Sequence, residues 1–439
     1  MPERVEARTI ERETMRRVYW RLVPMLFCAM FFNYLDRINI GFAGLRMNHD
    51  IGLTAAQFGF GASVFFAGYM VLEVPSNLML HRIGARVWIA RILLSWGLIA
   101  SLMAFVWNAG SFYTLRFLLG VAEAGFLPGL AVYVTYWFPS EYRARAVGGY
   151  IIAGQVAAVL GGPVSTALMT YCDGLGGLQG WQWMFILEGV PTMILGLVFL
   201  AALTDRPARA RWLAPEQHEW LDGRLARERT RLETEHSHKW WAGASDGRAW
   251  ALAILFGCAL IGVYGLLIWL PLIIKSFGTL TDIEVGLLSA VPPLLGVIGT
   301  LIVSWSSDRF GDRKRHLAGV YILAGAAIGM SAVAPSAALS YVMLCLTGLG
   351  INSGNSLFWS INASLMTGVA AAASIAFVNT VAQFGGLFGP WMIGWVRDTT
   401  GSYAAALLTI SAFLFLAATI ALALRVDPRR TAALPAQGD

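Results

Sequence analysis

The sequence predicts an all-α membrane protein, with twelve transmembrane helices in two pseudo-symmetric six-helix bundles. Three observations lead there. Of 439 residues, 57% are hydrophobic and 13% charged, with mean hydropathy +0.62; a soluble domain carries about 25% charged residues. Twelve separate stretches reach the ~20 mostly apolar residues that a bilayer core requires. They divide six and six around one polar segment, residues 205–247.

The elements follow in order. Residues 1–18 hold five arginines and no cleavable apolar core, so they read as a charged tail rather than a leader. The first bundle occupies 19–204, with spans at 19–40, 57–79, 88–107, 112–138, 146–170 and 183–204. Glycine and proline recur inside these spans, as membrane helices tolerate. The central loop, 205–247, is rich in arginine and glutamate and reads chiefly as a solvated, membrane-grazing linker, part of it an amphipathic surface helix from Pro215. The second bundle occupies 248–425, with spans at 249–274, 284–305, 318–335, 339–365, 372–396 and 402–424. Residues 426–439 are a short tail.

The two bundles share landmarks at one offset, 227 residues. "HRIGAR" at 81–86 lands on "DRFGDR" at 308–313, and Pro163 lands on Pro390. A duplicated six-helix unit, its copies related by an axis along the membrane normal, accounts for both. Such copies meet at a central cavity.

Charge sets the orientation. With the N-terminus inside, 26 of the 32 lysines and arginines fall on the inner side and only Arg46, Lys275 and Arg397 on the outer. This bias predicts cytoplasmic termini and a cytoplasmic central loop. It also explains the net charge of +6 by contact with membrane lipid, without nucleic acid. Cys28, Cys172, Cys258 and Cys345 are scattered and form no metal or redox spacing. No metal set, nucleophile motif or phosphate loop stands out, so neither an enzyme nor a cofactor is expected. Nothing demands more than a monomer.

Ions inside the spans are the functional signal, because hydrocarbon penalises each one left unpaired. The first bundle holds Asp36, Arg37, Glu73, Arg116, Glu123 and Glu188; the second holds none away from helix ends. Arg116 and Glu123 are seven apart, nearly on one face, with Gly120 leaving room for the guanidinium to fold toward the carboxylate. They read as an ion pair, either locking helix 4 or titrating during a cycle. Asp36 and Arg37 point about 100° apart and cannot share a partner. Arg37 reads as an anion clamp with Tyr34 beside it. Asp36 reads as a proton site or a packing partner.

Neutral candidates for the cavity are Tyr69 in helix 2 and Gln155 in helix 5. In the second bundle they are Asn352, Asn355, Ser356 and Trp359 on one face, Asn379 with Gln383, and Tyr264 and Trp269. The basic loops offer Arg82 in one copy, and Asp308, Arg309 and Arg313 beside Gly311 in the other. These are either topology signals or latches that break during a cycle.

The repeated "HRIGAR" and "DRFGDRKR" loops resemble the cytoplasmic signature of the major facilitator superfamily. "NYLDRINIGFA", "LEVPSN", "RFLLGVAEAGFLPG", "YWFPSEYRARA" and "GWQWMFILEG" together resemble its anion:cation symporter family. The resemblance spans residues 19–425 and is strongest to bacterial permeases for tartrate, phthalate, hydroxyphenylacetate and sugar acids. It implies the major facilitator fold and proton-coupled uptake of a small organic carboxylate by alternating access. It implies that Arg37 holds the substrate carboxylate, that Asp36 and Glu123 take protons, and that Arg116 pairs with the helix 4 acid. It places Tyr34, Tyr69, Gln155, Ser356, Trp359 and Asn379 along the substrate cavity. His81 departs from the loop signature, and helix 7 lacks the second arginine that some relatives carry. An uncoupled facilitator or anion exchanger is the alternative; dependence on a proton gradient separates the two.

Overall fold

The polar segment 1–18 and the first span are one rod. The computed structural model describes residues 2–233, 247–365 and 377–424. It opens with α1 (Pro2–Asp50), 49 residues without a break. Arginine and glutamate are good helix formers, and Met15, Val18 and Leu22 bury one face of this rod, so nothing ends the helix where charge gives way to apolar sequence.

α2 (Ala55–Ile83) starts at Thr54, whose side chain and that of Gln57 satisfy each other's backbone N–H groups. α3 (Ala85–Leu102) follows Gly84. The fourth expected span is two helices, α4 (Ala109–Glu123) and α5 (Phe126–Trp137). The break sits at Gly125, whose φ of 83° favours glycine, and a Cβ there would strike the Ser76 side chain. α6 (Ser140–Tyr171) and α7 (Gly180–Ala202) complete the first half. In the central segment, α8 (Pro215–Glu233) begins where Pro215 predicts.

The second half contains α9 (Gly247–Lys275), α10 (Asp282–Phe310), α11 (Arg313–Val333) and α12 (Ala337–Leu365). A helical stretch at 377–382 leads into α13 (Phe384–Thr400), then α14 (Tyr403–Ala423). Among the described residues, eleven helical stretches are long and apolar enough to cross a membrane, α4 with α5 counting as one. α13 lies in the remaining expected span; positions 372–376 of that span and the tail 426–439 lie outside the described residues.

The halves pack as copies. A Cβ added to Gly162 of α6 would stand 2.7 Å from the carbonyl oxygen of Gly286 in α10, and one on Gly286 the same distance from that of Gly162. Gly59 of α2 lies as tightly against the Pro390 carbonyl of α13. The two contacts correspond to within one residue: shifting Gly59 by 227 gives Gly286, and shifting Pro163, the neighbour of Gly162, gives Pro390. The sequence offset is thus a pseudo-two-fold axis in space.

The halves are clamped on the face away from the termini. Arg46 Nε donates to Asp282 Oδ2 at 2.7 Å, and Lys275 holds the same carboxylate at 2.9 Å. Asp398 of α13 accepts the backbone N–H groups of Ala55 (3.1 Å) and Ala56 (2.7 Å), so one half caps a helix of the other. Deeper in, Ser63 Oγ accepts the N–H of Trp391 at 2.9 Å. Toward the termini, Asn355 and Ser356 are exposed in the middle of α12. Polar side chains exposed at that depth belong to a water-filled cleft rather than to lipid.

Because Gly162 and Gly286 touch backbone to backbone, Gly286→Val forces the clamped face apart, a strain of about 1–3 kcal/mol. In a chain stripped of its four cysteines, a cysteine placed at buried Ser289 is expected to react severalfold faster with a polar thiol reagent when Gly286→Val is present. Unchanged labelling would show that the glycine contact does not hold the closure.

Candidate functional site: a buried ion cluster at mid-depth

Arg37, on α1, sits at the interface between the halves, 8% exposed, against a fully buried Glu123. Glu123 Oε1 accepts from Arg37 Nε at 2.9 Å and also from Nη2. Glu123 Oε2 is buried with no hydrogen-bond partner among the described residues. Arg37 Nη1 reaches the Tyr264 hydroxyl of α9 at 3.4 Å, a bond across the halves. Tyr264 is the residue 227 positions after Arg37, so this bond straddles the pseudo-axis. The guanidinium carbon lies 5.5 Å from the Phe65 ring centre and 5.4 Å from that of Tyr69.

The end of α4 presents Glu123. As the last residue before the break, it stands at the negative end of that helix dipole, where a carboxylate is disfavoured without a nearby cation. Arg37 supplies the cation. Arg116 does not, contrary to the expected pair: its Nη2 donates to the Ala62 carbonyl at 3.4 Å and its guanidinium lies 5.0 Å from the Phe65 ring centre. Gly120 causes this. Its lack of a Cβ lets α4 press against the backbone of Phe65, and the Phe65 ring ends up beside both guanidinium groups.

Asp36 faces away from Arg37, into the first half. Its oxygens accept from Trp96 Nε1 of α3 at 2.9 Å and from Asn39 Nδ2 at 3.3 Å. The same Asn39 nitrogen donates to Glu188 Oε2 at 2.9 Å, and Ser165 Oγ donates to Glu188 Oε1 at 2.7 Å. Two buried carboxylates therefore share one amide, and the donors that bond them are neutral.

The remaining expected residues fall into three groups. Tyr69 is buried beside Arg37, and half-buried Tyr34 packs its ring over Gly154, next to half-buried Gln155. Ser356 is exposed to the cleft. Trp359 is half-buried with its ring edge-on to Phe256 at 5.2 Å, and Asn379 is half-buried with its carbonyl accepting the Gln383 N–H. Of the loop residues, Arg313 holds Asp308 at 3.2 Å across Gly311, and Arg309 stacks on Trp305. These contacts stay within one half. In the other copy Arg82 is exposed. Arg86 instead ties the loop down, donating Nε to the Leu200 carbonyl at 2.7 Å and its N–H to Asp205 at 2.8 Å.

Asn39, Trp96 and Ser165 were not singled out from sequence. Asn39 is one turn from Asp36, which was a usable signal; Trp96 and Ser165 reach the cluster only through tertiary packing.

Residues 26–390 match the family profile described as Major Facilitator Superfamily. Among curated proteins, the chain is 44% identical over 421 residues to a protein of Agrobacterium vitis provisionally named a tartrate transporter, covering 96% of this chain and 93% of that one. It is 39% identical to a quinolone resistance transporter of Acinetobacter baumannii, covering 91% and 92%. Among solved structures, the xylose transporter XylE from Escherichia coli in a partially occluded inward-open conformation superposes with a TM-score of 0.74 at 14% identity, covering 93% and 98%.

The neutral donors around Glu188 allow a stability test independent of transport. Ser165→Ala leaves Glu188 Oε1 without its hydroxyl donor and is expected to cost about 1–3 kcal/mol. Asn39→Leu, which strips both carboxylates at once, is expected to cost more. Thermal unfolding of the purified variants reads both, and melts equal to wild type would show the network to be dispensable.

Proposed function

The chain belongs to the major facilitator superfamily, and from that premise we propose that this transporter takes up a small organic carboxylate together with a proton. The reading sets the termini in the cytoplasm of a bacterium, the protein in its inner membrane, and one chain as the working unit. The observation that carries it is the Arg37–Glu123 pair, a fork-shaped cation at the interface already holding a carboxylate. A substrate carboxylate can take the place of that internal one, because guanidinium binds either in the same geometry. The tartrate name of the Agrobacterium vitis relative supports the same class of cargo.

In the proposed cycle a proton adds to Glu123 Oε2, the oxygen without a partner. The neutral acid holds Arg37 less strongly, and the substrate carboxylate takes the guanidinium. Tyr264, hydrogen-bonded to Arg37 from the second half, registers the exchange across the interface. Tyr34, Tyr69, Gln155, Ser356, Trp359 and Asn379 supply rings, amides and hydroxyls to the rest of the solute. Arg116 lies within electrostatic reach of both Asp36 and Glu123 and balances whichever is charged. Asp36, held by Trp96 and Asn39, orients α1 and is the second proton site. Departure of substrate and proton lets Glu123 re-pair with Arg37, and the cycle resets. Coupling in this form means that each carboxylate charge entering is matched by one proton, so the buried cluster never carries an extra negative charge.

In proteoliposomes, uptake is expected to rise as the outer solution is made acidic relative to the lumen. Glu123→Gln is expected to abolish uptake driven by the pH gradient while exchange of preloaded substrate continues. Gradient-driven uptake at the wild-type rate in that variant would remove Glu123 from coupling. Indifference of the wild type to the gradient would favour the uncoupled facilitator. Arg37→Lys keeps the charge and loses the fork; the loss of charge-assisted bonds of about 1.5–3 kcal/mol corresponds to roughly 10- to 100-fold weaker binding. Thermal-shift screening against tartrate, aldonates, aromatic acids and short dicarboxylates identifies the ligand on which to measure it.

A further inference from the structure

We propose that the face bearing the termini carries a built site for an anionic phospholipid headgroup, between the start of α1 and the start of α6. A cavity of about 270 Å³ lies there. Arg12, Arg16 and Tyr19 line it from α1, at the spacing of successive turns on one side of a helix. Tyr142 and Arg145 line it from α6. Three arginines thus border one space.

The neighbouring arginines are already engaged. Arg143 is paired with Glu228 at 2.9 Å, Arg224 with Glu141, and Arg17 donates to Gln217 at 3.1 Å. Arg12, Arg16 and Arg145 have no carboxylate partner among the described residues; Arg145 lies 5.3 Å from the Tyr19 ring centre. Glu11, which is not among the lining residues, accepts the Tyr142 hydroxyl at 2.9 Å, and its one charge is outnumbered by the three arginines. Such a cavity selects a compact group with several acceptor oxygens and negative charge, and a phosphodiester meets that description.

Its height in the membrane selects a lipid over a dissolved anion. α1 changes here from "ERETMRR" to "LVPMLF", the point where a helix passes from water into hydrocarbon. Trp20, at that boundary, is 70% exposed, and a tryptophan ring left open there belongs to the headgroup layer. Phe138 borders the same cavity and gives the glycerol and first acyl carbons an apolar wall. Arginines clustered between helix ends in the headgroup layer bind acidic headgroups.

The test uses the full chain in phosphatidylcholine nanodiscs titrated with phosphatidylglycerol, read by thermal unfolding. The wild type is expected to gain stability saturably. Arg12→Gln with Arg16→Gln and Arg145→Gln is expected to lose that gain and to weaken apparent lipid affinity at least about tenfold, and lysine at the same positions to restore most of it. Should the triple variant fail to fold, Arg12→Gln and Arg16→Gln singly, both at exposed side chains, are each expected to cut the response by about half. A lipid response unchanged in these variants overturns the proposal. So does an equal gain from inorganic phosphate, which would make the cavity a site for a dissolved anion. A variant with impaired substrate KM and an intact lipid response would assign the arginines to substrate entry and overturn it as well.

Discussion

A guanidinium at mid-depth in a membrane protein has to be neutralised, and the arrangement around Arg37 follows from that requirement. Removing one partner from a buried ion pair costs about 3–5 kcal/mol, so Arg37 and Glu123 constrain each other. Their pairing fixes where α4 must end, because the carboxylate has to arrive at the guanidinium from the side. It fixes how α1 rotates, because Asp36, one residue away, then points into the first half toward Trp96 and Asn39. Both rings around the cation belong to α2, Phe65 and Tyr69, and the same stretch of α2 packs backbone-close against Gly120 of α4.

The two halves are copies in backbone and differ in charge, the second being neutral at the depth of the ion pair. At the offset that relates Gly59 to Gly286, Arg37 corresponds to Tyr264 and Glu123 to Gly350. The second half therefore meets the ion pair with a neutral hydroxyl. In a fold built by duplication, such divergence concentrates the buried ionisable groups in one copy and leaves the other with neutral polar side chains, among them Asn355, Ser356 and Asn379.

Much of this could be read from the chain. Hydropathy alone placed eleven spans that are helices long and apolar enough to cross a membrane among the described residues, and two landmarks at one offset gave the duplication that the Gly59–Pro390 and Gly162–Gly286 contacts express in space to within one residue. Facing within a helix was legible too: Asp36 and Arg37 do point to different surroundings. What could not be read was which neighbour each face meets. Arg116 and Glu123 share a helical face, yet their helix ends at Glu123 and another helix brings the cation. Gly125 followed by Pro128 was the local sign of that end, obscured because glycine and proline occur throughout these spans. The α1 rod was missed for the opposite reason: a charged segment reads as a tail, although its residues favour helix and one face of it is buried. Glu188 stood out as a buried charge, but its partners Asn39 and Ser165 come from helices that sequence spacing cannot relate to it.

The distribution of bond strengths across the interface fits a molecule whose halves must part. In the proposed alternating access, one bundle rocks against the other around a fixed site, so the contacts that cross between bundles on either face are broken in turn. A buried ion pair there would set a barrier of several kcal/mol. The Arg37–Glu123 pair avoids this because both residues belong to the first half and move together. What crosses at that depth is one long bond from Arg37 to the Tyr264 hydroxyl at 3.4 Å, worth at most about 1.5–3 kcal/mol, less than a buried ion pair. The ion pair that crosses among the described residues, Arg46 with Asp282, lies at the clamped face, where Arg46 is 30% exposed to water and Lys275 stays with Asp282 as the pair separates. Strong interactions inside a half and weak or wet ones between halves let the site keep its charges paired while the protein moves around it.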